Sequence, residues 1–175
     1  MRGLVHIYTG NGKGKTSAAV GLGIRAYGRG FKVLMVQFLK GTETGEAFTI
    51  KKLSPGFTIY RGKSTRKFFW QMNNEEKEFE RNVQNELLEY ALEAVTSGEW
   101  QMVILDEIMA AIENGMVKAE DVVKLIKDRD NDVELVLTGR NAPEELVELA
   151  DYVSEIKEVK HPMKKGIAAR KGIEF

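Results

Sequence analysis

The residues with the clearest chemical potential lie at the start of the chain, in Thr9-Gly10-Asn11-Gly12-Lys13-Gly14-Lys15-Thr16-Ser17. The Gly14-Lys15-Thr16 ending matches the close of the phosphate-loop pattern G-x-x-x-x-G-K-S/T. The opening glycine of that pattern falls on Thr9, so Gly10 and Gly12 supply the flexibility instead. Glycines admit the positive φ angles that turn successive N–H groups inward to form an anion nest. A helix starting there adds its N-terminal N–H groups and partial positive charge. Lys15 then brings a full charge to terminal phosphates, and Thr16 can place its hydroxyl on Mg²⁺. The rival is an ordinary glycine-rich turn. An apolar strand, glycines, Gly-Lys-Thr and a helical pattern in that order favour phosphate binding. The spacing differs from the dinucleotide fingerprint.

A second cluster is Asp106-Glu107, directly after the apolar run Met102 to Leu105. A carboxylate at a strand end beside a phosphate loop is where a further Mg²⁺ ligand is needed, direct or through water. The competing role is an N-cap, which suits Asp106 in particular. Metal work is expected for at least one of the two, and chemistry alone favours neither. Gln37 and Thr138-Gly139-Arg140 also follow apolar runs. Arg140 could clamp a phosphate bidentately or form a surface salt bridge, and Arg25 on the first helix has the same two roles open. His6 lies inside a strand and is read as structural.

The run Lys67-Phe68-Phe69-Trp70-Gln71-Met72-Asn73 places three consecutive aromatics between elements. Such a cluster can plug into the core or form a platform for a flat ligand or a partner. The nearby Arg61, Lys63, Arg66 and Lys67 would also permit nucleic-acid stacking.

These groups need a scaffold that brings distant segments together, and the hydrophobic pattern predicts one. Strands are expected at Leu4 to Tyr8, Val33 to Phe38, Phe57 to Tyr60, Met102 to Leu105, Val133 to Leu137 and, as a last edge strand, Tyr152 to Ile156. Helices are expected at Thr16 to Gly28, Asn74 to Thr96, Ala119 to Lys127 and Pro143 to Leu149. In the first, Ala18, Ala19, Leu22, Ile24 and Ala26 are the packing candidates, with Gly21 and Gly23 permitting close contact with a sheet. Asn74 reads as the N-cap of the long helix, Phe79, Val83, Leu87 and Ala91 as its buried stripe, and Gly98 as its stop. Pro143 reads as the first residue of the short one. The alternation makes an α/β fold with a mostly parallel sheet covered on both faces. Ligands bind such sheets beyond the carboxyl ends of the strands, where the polar motifs fall.

The chain has 175 residues, the length of one domain, expected to span 1–175. Lys plus Arg and Asp plus Glu number 26 each, so the formal net charge is zero. No global positive field exists to draw in nucleic acid or an anionic membrane. Cysteine is absent, which excludes disulfides, thiolate nucleophiles and cysteine metal sites. No stretch approaches the roughly 18 apolar residues of a membrane span. The start goes straight into a strand with no leader pattern. A soluble cytoplasmic protein is expected.

Taken together, TGNGKGKTSAA at Thr9 to Ala19, VQFLKG at Val36 to Gly41, VILDE at Val103 to Glu107 and LTGR at Leu137 to Arg140 resemble the P-loop ATP:corrinoid adenosyltransferases. VKH at Val159 to His161 and GIEF at Gly172 to Phe175 add to the resemblance. It implies a RecA-like P-loop NTPase fold, a homodimer, and transfer of the 5′-deoxyadenosyl group of ATP to a cobalt(I) corrinoid with release of triphosphate. By this resemblance Gly10 to Ser17 hold the triphosphate, and Thr16 and Glu107, with Asp106 beside it, hold Mg²⁺. Arg25 and Arg140 approach the nucleotide. Phe68 and Trp70 shape the lower face of the corrinoid and exclude its axial ligand, a state that is easier to reduce. An electron-donating reductase is the partner such chemistry calls for. Family members often carry an extension before the first strand; if that segment covers the site, another part of this chain must do so.

A cobalt(I) corrinoid is itself a strong nucleophile, so the implied reaction needs no protein nucleophile or general base. That agrees with the missing cysteine and with only two histidines, His6 and His161. Two other readings compete. A generic ATPase or kinase would need a positioned water or an acceptor base, a task Glu107 could take. A nucleotide-gated, RecA-like module binding single strands through the aromatic loop sits poorly with zero net charge.

Overall fold

The computed structural model describes residues 2–64, 67 and 69–174. Short β-branched runs form β1 Val5–Thr9, β2 Val33–Gln37, β3 Phe57–Arg61, β4 Met102–Asp106, β5 Glu134–Thr138 and β6 Tyr152–Glu155. Among the described residues these make one sheet in the order β3-β2-β4-β5-β1-β6, with every pairing parallel. β2 and β4 are buried along their whole length, as central strands covered on both faces must be.

The pleat divides the core in two. Val5, Ile7, Leu34, Val36, Val103, Leu105, Leu135 and Leu137 point to one face. Against them lie α3 Asn74–Thr96, α4 Ile108–Glu113, α5 Ala119–Asp128 and α6 Glu144–Val147. Val33, Met35, Met102, Ile104 and Val136 point to the other, under α1 Lys15–Tyr27, with Ile50 of α2 Gly45–Ile50 beside them. The six-residue helices α2 and α4 fall in segments whose periodicity is too brief to register in the sequence.

Several local expectations shift. Asn73, not Asn74, caps α3, its side chain accepting from the Glu76 N–H at 2.8 Å while Glu76 reaches back to the Asn73 N–H at 3.0 Å. This reciprocal box satisfies two orphan helix donors. Pro143 is likewise the cap of α6 rather than its first residue. Val83, Leu87 and Ala91 form the buried stripe of α3, but Phe79, one turn earlier, is 51% exposed. On α1, Ala18 and Ile24 face outward while Ala19 is buried.

The two α1 glycines behave differently. A side chain at Gly23 would meet the Phe57 ring at 2.8 Å, so this glycine permits close helix–sheet packing. At Gly21 nothing lies within 4 Å. Gly21→Ala should therefore stabilise the fold by about 0.5–1 kcal/mol, the helix-propensity difference. Chemical denaturation checks this, and a loss of stability would show an unrecognised packing role.

Candidate functional site

Parallel register lines up the strand ends. Gln37 on β2 pairs with Asp106 on β4, and Tyr8 on β1 pairs with Thr138 on β5. The fully buried Asp106 carboxylate sits at the centre of this row. Its Oδ1 accepts from the Thr16 hydroxyl at 2.8 Å and the Thr138 hydroxyl at 2.8 Å, and its Oδ2 accepts from Gln37 Nε2 at 3.0 Å. Three donors on a buried carboxylate satisfy a group that would otherwise be costly. Asp106 is thus an acceptor hub and not an N-cap; the cap position of α4 belongs to Glu107.

The glycine loop takes the geometry its sequence predicts. Gly10 and Gly14 have φ of 100° and 124°, values that L side chains rarely adopt. Gly12 is glycine for a different reason: a side chain there would meet Ile156 and Lys157 at 2.8 Å, and its N–H donates to the Ile156 carbonyl at 2.7 Å. The loop is therefore braced by the chain leaving β6. Lys15 Nζ donates to the carbonyls of Gly10 at 2.7 Å and Gly12 at 2.8 Å, folding its charge back across the loop. Burial pulls its ammonium below the ordinary lysine value; nearby Glu107 opposes the shift and Arg140 adds to it.

Glu107 is held differently from its neighbour. Its φ is 62°, the left-handed region, which is strained for a residue of this kind. Among the described residues nothing hydrogen-bonds its carboxylate. Burial raises its pKa above the usual carboxylate range, and the adjacent Asp106 charge raises it further. A strained, desolvated carboxylate facing a phosphate loop is a functional signature rather than a stabilising one.

A cleft of about 310 Å³ opens above the loop, with Lys15 and Thr16 on its floor and Glu107, Arg140 and Lys40 on its walls. Asn11 to Ser17 all line it. A second cleft of about 240 Å³ adjoins it, bounded by Lys40, Thr44 and Glu46. Ile173 and Glu174 line both. Lys40 and the Ile173–Glu174 segment lie in VQFLKG and GIEF, two motifs of the resemblance, which assigns them no role, and the Thr44–Glu46 turn carries no mark in the sequence. Arg61 of β3 secures that turn, its Nη2 donating to Thr44 Oγ1 at 2.8 Å and its Nε to Gln37 Oε1 at 2.5 Å.

The other expected residues divide. Arg140 stands at the cleft. Arg25 is exposed in the last turn of α1 and does not line it; ten residues of helix separate it from Lys15, roughly 15 Å at 1.5 Å per residue. Trp70 lies in a 3₁₀ turn, Phe69–Gln71, and is 75% exposed, so it does not plug the core. Phe69 is half-buried with Lys77 Nζ 4.8 Å from its ring centre. Phe68 and Arg66 lie outside the described residues. His6 is structural as expected, its Nε2 2.5 Å from Glu134 Oε1 and its ring stacked on Tyr152 at 4.7 Å. No helix among the described residues is long and apolar enough to cross a membrane.

The fold has a solved counterpart in the RadB recombinase, with a TM-score of 0.57, 14% identity, and coverage of 92% of this chain and 77% of that one. The architecture is accordingly RecA-like. Sequence relatives are nearer. The corrinoid adenosyltransferase of Escherichia coli (strain K12) is 34% identical across 99% of this chain and 86% of its own length. That of Pseudomonas aeruginosa is 34% identical across 99% of this chain and 84% of its own. Corrinoid adenosyltransferase CobA of Salmonella typhimurium is 31% identical across 99% and 86%. The family described as ATP:corrinoid adenosyltransferase BtuR/CobO/CobP matches residues 1–175. With the phosphate loop, the strand-end carboxylates and the RecA-like sheet all in place, the chain belongs to the ATP:corrinoid adenosyltransferase family.

Proposed function

We propose that this protein transfers the 5′-deoxyadenosyl group of ATP to a cobalt(I) corrinoid and releases triphosphate. The observation that carries this reading is the family match over residues 1–175. Cobalt attacks C5′ with its own electron pair, the cobalt–carbon bond forms, the C5′–O bond breaks, and the leaving triphosphate takes the bond's electrons. The protein must orient and stabilise rather than attack. Lys15 supports charge on the departing triphosphate, the Gly10–Ser17 amides cradle it, and Arg140 faces it from the wall. Arg25, exposed in the last turn of α1 and away from the cleft, takes no part in this reading.

The donors around Thr16 suit Mg²⁺. They are all oxygen: the Thr16 hydroxyl and the Asp106 and Glu107 carboxylates. Among the described residues no three His, Cys, Asp or Glu side chains cluster as a closed metal cage. Mg²⁺ commonly uses one or two carboxylates and completes its shell with phosphate and water. Bound there, it would offset charge on the phosphate oxygens. Glu107 is the carboxylate left free to serve it, while Asp106 orients Thr16. A homodimer and an electron-donating reductase belong to the same reading.

Feeding ATP carrying carbon-13 at C5′ together with a prereduced corrinoid tests the transfer. The label should appear bonded to cobalt, and label remaining in nucleotide would count against it.

The two carboxylates should respond differently to substitution. Glu107→Gln should raise the Mg²⁺ concentration needed for half-maximal activity about tenfold, roughly one charge-assisted contact. It should also melt higher near neutral pH. A raised carboxyl gives stability that is fully present below the unfolded value and lost as pH rises through the folded one; Gln escapes that loss. Below the ordinary carboxylate range the two proteins should melt together. Asp106→Asn should instead lose stability, about 1–3 kcal/mol, because its amide would oppose donors already aimed at it. If only Asp106→Asn needs more metal, the roles are reversed.

A further inference from the structure

The inner stripe of α3 carries Leu87, Leu88 and Ala91, yet in phase with them sit two polar residues, Glu80 at 1% and Gln84 at 0% exposure. Polar groups buried on an apolar helix face are expensive unless every bond is met. Gln84 meets its bonds by joining two loops. Its Oε1 accepts from the Leu39 N–H at 3.1 Å. Its Nε2 donates to Glu80 Oε1 at 2.6 Å and to Ser64 Oγ at 3.0 Å, and the Ser64 hydroxyl donates to Glu80 as well.

Each loop leads to a different part of the site. Leu39 has φ 54°, an outlier for a leucine, held by Gln84 on one side while the preceding Phe38 N–H donates to the Asp106 carbonyl at 2.9 Å. The next residue, Lys40, lines both clefts at the phosphate loop. Ser64 lies six residues before Trp70, and the chain entering it is already pressed on α3: a side chain at Gly62 would meet Val83 Cγ1 at 2.4 Å. An apolar network of equal volume would hold α3 in place as well or better. Its polar character is thus suited to fixing two loops to one point.

We propose that Gln84, with Glu80, is a positioning residue that registers the Lys40 wall of the ATP cleft against the loop bearing Trp70. The occupancy of one substrate site is then felt at the other. The assignment of ATP and corrinoid to these sites rests on the function proposed above.

The sequence contains two tryptophans, so Trp100→Phe leaves Trp70 as the sole emitter. In that background Mg²⁺–ATP is titrated while Trp70 emission, ATP affinity and melting are followed. The parent should show an ATP-dependent emission change. Gln84→Met should lose that change and about tenfold in ATP affinity. Ser64→Ala should lose the emission change and keep the affinity. In the transfer reaction both should raise the KM for corrinoid more than they lower kcat. A purely structural role would lower the melting temperature and move neither optical nor kinetic readout. The proposal is overturned if the parent emission ignores ATP, or if Ser64→Ala retains the parent response, a result that decides the matter even if Gln84→Met does not fold. Absence of transfer by the parent would count against the transferase reading alone.

Discussion

Lys15→Ala should lower kcat/KM by about 10²–10³, some 2.7–4 kcal/mol of transition-state stabilisation, the loss associated with removing one preorganised charge-stabilising group. Lys15 is only 8% exposed and its ammonium spans the carbonyls of Gly10 and Gly12, so it is positioned before any phosphate arrives. Its burial works against its own charge. Such a cation does little for stability, and the melting temperature should change far less than the rate. Lys15→Arg should not rescue, because a planar guanidinium cannot replace a point charge folded between two carbonyls. Steady-state kinetics beside thermal melts check the pair. A Lys15→Ala protein with near-normal kcat/KM would remove the phosphate loop from the mechanism.

The second large effect is expected at Trp70 and depends on how cobalt is presented. At 75% exposure, Trp70 should be replaceable by Ala at a cost within roughly 0.5 kcal/mol, whereas a core aromatic loses about 3–5 kcal/mol. ATP affinity should hold. Starting from cobalt(II), activity should fall at least about tenfold, one cation–π or stacking contact's worth of binding, and the four-coordinate cobalt(II) signal in absorption or EPR should fade. Starting from prereduced cobalt(I), part of the activity should return, because reduction no longer limits. Phe68→Ala, at a position outside the described residues, is expected to behave alike. Folded variants that bind ATP and give the parent cobalt(II) spectrum would contradict the assignment.

Some of this was legible in the sequence because it is local. Gly14-Lys15-Thr16 is contiguous, and the strand before it and helix after it are strongly patterned, so loop and fold class follow together. The strand ends were also legible as positions, since apolar runs stop at Gln37, Asp106 and Thr138. Their division of labour was not. Asp106 and Glu107 differ through backbone conformation and register: one is turned into three donors, the other is forced to φ 62° and left facing the cleft. Gln84 was hidden because a polar residue on a long helix reads as surface. Its signal was phase, since Glu80, Gln84 and Leu88 recur at i, i+4 on the buried stripe. Phe79 misled in the opposite sense, sharing that helix's apolar spacing but standing 51% exposed. Lys40 and the segment at Ile173 and Glu174 lie in VQFLKG and GIEF, so their motifs were legible, but their meeting at the cleft is a product of tertiary folding.

The phosphorus products formed from ATP and a reduced corrinoid test the central claim most directly. Phosphorus-31 NMR of the complete reaction should show inorganic triphosphate accumulating in step with the alkylcobalt product, and no ADP. ADP with inorganic phosphate would mean that the chain breaks the β–γ bond as an ordinary ATPase, and neither product would mean that the cleft binds nucleotide without turning it over.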